Sequence, residues 1–96
     1  MYTLTTSNLS AGNIKYQKFG HMVMVVFDGL TVSSTGTKVV GTLPTGYRPT
    51  ITSQPFIRDS GGSSVLQSWI MTDGAINITF KTAGLAYAGF VVFTAE

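Results

Sequence analysis

Residues 64–81 have the sequence SVLQSWIMTDGAINITFK, in which two stretches rich in β-forming residues flank an Asp-Gly pair. Val, Ile, Trp, Phe and Thr favour strands, and Asp-Gly supplies the two positive φ angles of a type I′ hairpin turn. With Asp73-Gly74 as the turn, Thr72 is expected to face Ala75. The segment therefore predicts an antiparallel hairpin of two strands, Ser64–Thr72 and Ala75–Lys81.

The turn also predicts which side chains share a face of this hairpin, because register and face are linked in a β-ladder. One face is then almost entirely apolar and the other is mixed. We therefore expect Trp69, the only tryptophan, to pack mainly in the core. The expected pairs on the apolar face are Met71 with Ile76, Trp69 with Ile78, and Gln67 with Phe80.

The rest of the chain has the same period of two, and turn residues interrupt it regularly. No window of a dozen residues carries a helical apolar stripe, so no long helix is expected. Seven or eight short strands over residues 1–96 predict one all-β domain, an antiparallel β-sandwich or small barrel. The further expected strands are Tyr2–Thr6, Asn13–Phe19, His21–Val32, Lys38–Leu43, Gln54–Arg58 and Ala86–Thr94.

Two of these strands are apolar on both sides: HMVMVVF at 21–27 and AYAGFVVF at 86–93. Continuous apolar strands are typical of burial on both faces. A domain of 96 residues has little chain to cover an outer face, so we expect another subunit to cover it. The alternative is a closed barrel with scattered exposed apolar residues. Within the first strand, Phe27–Leu30 is expected to form a bulge rather than a turn.

Composition narrows the class of function. Only 10% of residues are charged, the net charge is +2, and cysteine is absent. Disulfides and thiolate metal sites are therefore excluded, and the basic residues are too scattered for a nucleic-acid surface. The longest apolar run, Met22–Phe27, is too short to cross a membrane, and the start MYTLTTSN has no signal-peptide pattern. A surface of Ser, Thr and Gly suits an extracellular or particle-borne protein.

Residues 42–50, TLPTGYRPT, predict a rigid corner between sheets. Leu43-Pro44-Thr45-Gly46 suits a type I turn, with proline second and glycine fourth. The following proline, Pro49, holds Arg48 extended.

This corner also carries a resemblance to a known family. A strand ending in Thr-Leu-Pro, followed by Gly-Tyr-Arg-Pro, resembles the C-terminal head domains of receptor-binding tail and baseplate proteins of bacteriophages that infect Gram-positive bacteria, lactococcal phages among them. The resemblance extends from about residue 20 onward. The other matching features are Gly29–Val32, the strand Pro55–Ile57, the hairpin Trp69–Ile78 and the closing aromatic strand Phe90–Phe93.

The resemblance implies a jelly-roll-like antiparallel β-sandwich that assembles as a homotrimer at the tip of a phage tail. It also implies binding to a host cell-wall saccharide during adsorption, contact with other tail and baseplate proteins, and a place in the virion, outside the host cell. The alternative is a structural tail module that contacts only other phage proteins.

Four residues are candidates for the saccharide site, which requires an aromatic platform and polar groups that bind hydroxyls. Arg58 and Asp59 form a polar pair just before Gly61-Gly62, although a solvated salt pair in a loop is equally consistent. Gln67 and Trp69 complete the set, with Trp69 reaching a ligand at a cleft between subunits. Tyr47 and Tyr87 are further aromatic platforms.

Enzymatic chemistry is not expected. The single histidine, His21, has no carboxylate at a spacing that places both on one strand face, and a local hydrogen bond suits it better. The four acidic residues are scattered, and no Gly-x-Ser-x-Gly elbow occurs. We therefore expect neither a catalytic site nor a metal or cofactor.

Overall fold

The computed structural model describes residues 1–59 and 65–95, and every regular element in that part of the chain is a β-strand. All eight expected strands are confirmed, with ends that differ by a few residues. None of the described residues belongs to a helix that could cross a membrane. The Gly61-Gly62 loop, Ser64 and Glu96 lie outside the described residues. The strands are β1 (Tyr2–Thr3), β2 (Ala11–Phe19), β3 (Met22–Thr31), β4 (Gly36–Thr42), β5 (Phe56–Asp59), β6 (Val65–Ile70), β7 (Ala75–Phe80) and β8 (Tyr87–Thr94).

The strands form one curled antiparallel sheet in the order β1-β2-β3-β8-β5-β6-β7-β4. The two edges of the sheet approach each other, because the chain just after β1 is hydrogen-bonded to β4. The Ser7 amide donates to the Val40 carbonyl at 3.0 Å, and Asn8 Nδ2 donates to the Val39 carbonyl at 2.8 Å. The predicted all-β antiparallel class is therefore confirmed, as a curled half-barrel.

The concave face of the sheet encloses the core. Side chains alternate along each strand, so every second residue points inward. Phe80 and Tyr87 meet edge to face, with ring centroids 5.9 Å apart. The largest fully buried side chains are Tyr87, Phe27, Phe80, Ile14, Leu30, Leu43, Ile57, Ile70, Ile76 and Ile78.

The turn of the β6–β7 hairpin is one residue longer than predicted. The Gly74 amide donates to the Met71 carbonyl at 2.9 Å, and the Met71 amide donates to the Ala75 carbonyl at 2.9 Å. In this turn only Gly74 has a positive φ, of 90°. This is the pattern of a three-residue loop with a bulge at the glycine, not of a type I′ turn.

The longer turn shifts the register by one residue, which exchanges the two faces of β6. Trp69 is opposite Asn77, and Gln67 is opposite Thr79. The prediction that Trp69 faces Ile78 and the core is therefore wrong. The residues of β6 that face the core are Leu66, Ser68 and Ile70, and Gln67 and Trp69 lie on the convex face.

The corner also begins one residue later than predicted. The Tyr47 amide donates to the Pro44 carbonyl at 3.1 Å, and Gly46 has a φ of 93° at the third position. That is the pattern of a type II turn, so the type I turn at 43–46 is wrong. Arg48 Nε donates to the Leu43 carbonyl at 2.9 Å, which braces the corner.

The predicted bulge in β3 is confirmed. The pairing of β3 with β8 shifts between Phe27 and Leu30, and the pairing with β2 shifts at the same place. Gly29 within the bulge has a φ of 64°.

Candidate functional site on the convex face

Arg58 and Asp59, the predicted polar pair, lie on opposite faces of β5. Arg58 is exposed on the convex face, whereas Asp59 is only 8% exposed and faces the core side. Asp59 is the last residue of β5 and is opposite Tyr87. The expectation of a solvated pair in a loop is therefore wrong, because strand alternation separates neighbouring side chains.

Gln67 and Trp69 share the convex face with Arg58. The chain before β5 continues the same ladder against β6, because Ser53 pairs with Ile70 as Ile57 pairs with Leu66 at the same offset. Ser68 Oγ donates to the Pro55 carbonyl at 3.0 Å and fastens the two segments together. This offset sets Gln54 beside Trp69.

Trp69 therefore has a side-chain amide on each side. Gln54 lies on the β5 side, and Asn77 is the partner of Trp69 on β7. We call Gln54, Trp69 and Asn77 the indole row. Trp69 and Asn77 are half-buried, and Gln54 is exposed. An indole stacks on the apolar face of a sugar ring, and amides donate to and accept from hydroxyls.

Two grooves adjoin the indole of Trp69. The first, of about 380 Å³, lies toward β5 and is also lined by Gln54, Phe56 and Gln67. The second, of about 360 Å³, spans the end of β6 toward β7 and β4 and is also lined by Thr37, Met71 and Asn77, with Thr52 from the segment before β5. We call them the β5-side groove and the β4-side groove. Both sizes fall within the range of small-molecule sites.

Among the residues that the structure describes, no charged side chain lines either groove. Amides, hydroxyls and apolar groups make up the side chains that line them in the described part of the chain. On the β4 side, Thr37 Oγ1 and Thr79 Oγ1 are hydrogen-bonded at 2.8 Å. Residues 1–59 and 65–95 contain no group of three or more His, Asp or Glu side chains that could hold a metal ion.

A second feature of the convex face is apolar and continuous. Phe90 on β8 pairs with Val26 on β3 and with Phe56 on β5, so three strands contribute to it. We call this surface, with Met24 and Val92, the apolar face. Phe90 is 58% exposed, Phe56 54% and Val92 48%. A groove of about 630 Å³ crosses it, and Arg58 lies at its margin.

The other aromatic candidates lie elsewhere. Tyr87 is fully buried, so the prediction of a surface platform there is wrong. Tyr47 is half-buried in a cluster with Tyr2 and Tyr16, with ring centroids 6.2 and 5.0 Å away. Partial burial raises the pKa of Tyr47 above its ordinary value of 10.0, and the two neighbouring tyrosines raise it further. The backbone carbonyl of His21 accepts a hydrogen bond from the Ala95 amide at 2.7 Å, and a local hydrogen bond of the His21 side chain stays a prediction.

Gln54, Phe56 and Asn77 were absent from the set of site residues inferred from the sequence. The alternation of Gln54, Phe56 and Arg58 along one strand was a usable signal, since it places all three on one face. Asn77 was hidden by the hairpin register, because a type I′ turn would have put another residue opposite Trp69.

No protein-family model matches the chain, and no curated protein does. Among solved structures, the chain is similar to the receptor-binding protein of Listeria phage PSA, with a TM-score of 0.67 and 21% identity. That match covers 99% of this chain and 64% of the Listeria phage protein, so the chain spans less than two thirds of that protein's length.

The chain is also similar to the head domain of lactococcal phage bIL170, one of the receptor-binding domains of lactococcal phages. The TM-score is 0.64 at 14% identity, and the match covers 97% of this chain and 99% of that domain. The fold of this chain is therefore the fold of these phage receptor-binding structures.

Proposed function

We propose that this chain is a receptor-binding head of a bacteriophage tail and that it binds a saccharide of the host cell wall beside Trp69. The observation that supports this proposal is the indole row. On the convex face, a half-buried indole has a side-chain amide on each side. The fold supports the same proposal, because it is shared with two phage structures that are named for receptor binding.

The chemistry of the grooves favours a saccharide over other small ligands. A sugar ring has an apolar face, which stacks on an aromatic ring, and a rim of hydroxyls, which require both donors and acceptors. Trp69 supplies the ring, and Gln54, Gln67 and Asn77 supply donors and acceptors in the same groups. A cofactor phosphate would instead require cationic side chains or a backbone nest.

We further propose that the apolar face joins three copies of the chain into a homotrimer. Its exposed side chains lie on three adjacent strands, where Phe56, Phe90 and Val92 are each close to half exposed or more. Contiguous apolar surface of this kind marks an interaction site. Because Phe56 lines both the apolar face and the β5-side groove, the saccharide site adjoins the subunit contact.

In this arrangement the four predicted site residues have different roles. Trp69 and Gln67 contact the saccharide. Arg58 lies at the margin of the subunit contact, and Asp59 is excluded from the ligand because it faces the core side. The head acts in the virion, outside the host cell, attached to other tail proteins. We propose that it binds without catalysis, since the described side chains that line the grooves include no acid–base or nucleophile pair.

Calorimetry with purified cell-wall polysaccharide from lactococcal and Listeria strains tests the proposal. We expect wild-type protein to bind at least one preparation and Trp69→Ala to lose affinity at least about thirtyfold, because a tryptophan at the centre of a binding site commonly contributes about 2 kcal/mol or more. Phe19→Ala is the matched control, since Phe19 is an exposed aromatic residue that lines neither groove. Equal affinity of wild type and Trp69→Ala would contradict the proposed site.

The structural alternative has its own outcome in the same experiment. A well-folded wild-type protein that binds none of the preparations, but binds isolated tail proteins, would support a module that contacts only phage components. The polysaccharide recovered after incubation is expected to keep its original size distribution, and shortened chains would contradict a binding role without catalysis.

A further inference from the structure

The indole of Trp69 is bordered by space on two sides rather than one. The β5-side groove and the β4-side groove have nearly equal volumes, about 380 and 360 Å³, and Trp69 lines both. Here the ring stands between two clefts, each with its own polar groups.

The spacing of the strands sets the length of the ligand that such a site accommodates. Gln54 lies on the β5 side of Trp69 and Asn77 on the β7 side, so two inter-strand spacings separate the strands that carry the two amides. At about 4.8 Å per spacing, those strands are about 10 Å apart. That distance is wider than a single pyranose ring, so two linked sugars have room to lie across Trp69 with one toward each amide.

The charge of the side chains that line the grooves indicates the chemical class of the ligand. Among the described residues that line them, the polar groups are the amides of Gln54, Gln67 and Asn77 and hydroxyls such as those of Thr37 and Thr52. Anionic polymers are recognised by Arg or Lys, which supply charge-assisted hydrogen bonds. Arg58, a cationic residue on this face, lines the groove of the apolar face instead.

We infer that the site binds an internal, uncharged stretch of polysaccharide of at least two linked sugars that crosses over Trp69, one sugar in each groove. This inference rests on the proposed function and deepens it by naming the length and charge of the ligand. In this arrangement Gln54 and Asn77 each contact one sugar, at opposite ends of the bound stretch.

The test uses the neutral polysaccharide of lactococcal and Listeria cell walls. It is partly hydrolysed with acid, and the fragments are separated by length. The anionic teichoic acid fraction of the same walls is the comparison. Calorimetry on the wild-type protein is expected to show an increase in affinity of about tenfold or more between the monosaccharide and the shortest oligomer that fills both grooves, with little gain beyond it. The neutral fraction is expected to bind more tightly than the anionic one.

Two variants separate the grooves. Asn77→Ala and Gln54→Ala are each expected to lower affinity for the oligomers several-fold more than affinity for the monosaccharide, because each removes one of two contacts that only an oligomer makes together. Affinity that does not depend on length, or tighter binding of teichoic acid, would overturn this inference while leaving saccharide binding intact. Absence of binding to every fraction by a folded wild-type protein would overturn the proposed function and this inference together.

Discussion

The Leu43 amide donates to the Gly74 carbonyl at 2.9 Å, which joins the corner to the turn of the β6–β7 hairpin. A Cβ atom on Gly74 would lie 2.5 Å from the Leu43 carbonyl oxygen and 3.0 Å from Arg48 Nε. The two turns are therefore in direct backbone contact. Since the hairpin carries both Trp69 and Asn77, this contact helps to hold the indole row in place.

Gly74→Ala is expected to lower the free energy of unfolding by about 2–4 kcal/mol, because it combines a strained positive φ with a backbone collision. Gly46→Ala is the matched control. Gly46 also has a positive φ, but no atom lies within 4 Å of a Cβ placed there, so a loss of about 1 kcal/mol is expected. Urea unfolding at equal chain concentration measures the free energy of unfolding of both variants. Equal losses in the two variants would contradict the expected cost of the backbone collision at Gly74.

Phe90→Lys is expected to dissociate the homotrimer, because a lysine ammonium would have to be buried in the apolar face. Light scattering should then give a mass near 10.2 kDa, the mass of one chain, in place of three times that value for the wild type. Val39→Lys, on the far edge strand β4, should remain trimeric. A monomeric wild type would contradict the trimer, and a trimeric Phe90→Lys variant would move the subunit contact to another surface.

Tyr47 is expected to make the stability of the protein fall in alkaline solution. Its folded-state pKa is raised above 10.0, first by burial and then by Tyr2 and Tyr16. The folded chain therefore keeps a proton that the unfolded chain loses, and unfolding is favoured as pH rises above 10. Below pH 10 this contribution is fully present. Melting temperatures measured on both sides of pH 10 should fall less steeply for Tyr47→Phe, and identical slopes would contradict the role of Tyr47.

Most strands were predictable because apolar and polar residues alternate along them. The two stretches without alternation, at 21–27 and 86–93, were predictable because they are rich in β-forming residues. The strands β3 and β8, which are apolar on both sides, bury one face, and β8 exposes apolar side chains such as Phe90 on the other. That a second subunit covers that face stays a prediction.

The candidate site was less predictable, because it depends on register. A turn with one more residue than Asp73-Gly74 alone moved Trp69 from the predicted core to the convex face and brought it opposite Asn77. In the same way, the separation of Arg58 from Asp59 depends on β5 extending to Asp59. Both errors arise because a turn or a strand end lies one residue away from its predicted position. Propensity and spacing do not determine such boundaries to a single residue.

The most direct measurement of the central claim is the fluorescence of Trp69, because the chain contains one tryptophan and it lines both grooves. During titration with neutral wall polysaccharide, we expect a saturable shift of the emission to shorter wavelength, since a stacked sugar removes water from the indole. Its midpoint should agree with the dissociation constant from calorimetry, and Asp59→Asn, which alters only the core side of β5, should give the same curve. Calorimetric binding with no change in the tryptophan emission would contradict a saccharide site at Trp69.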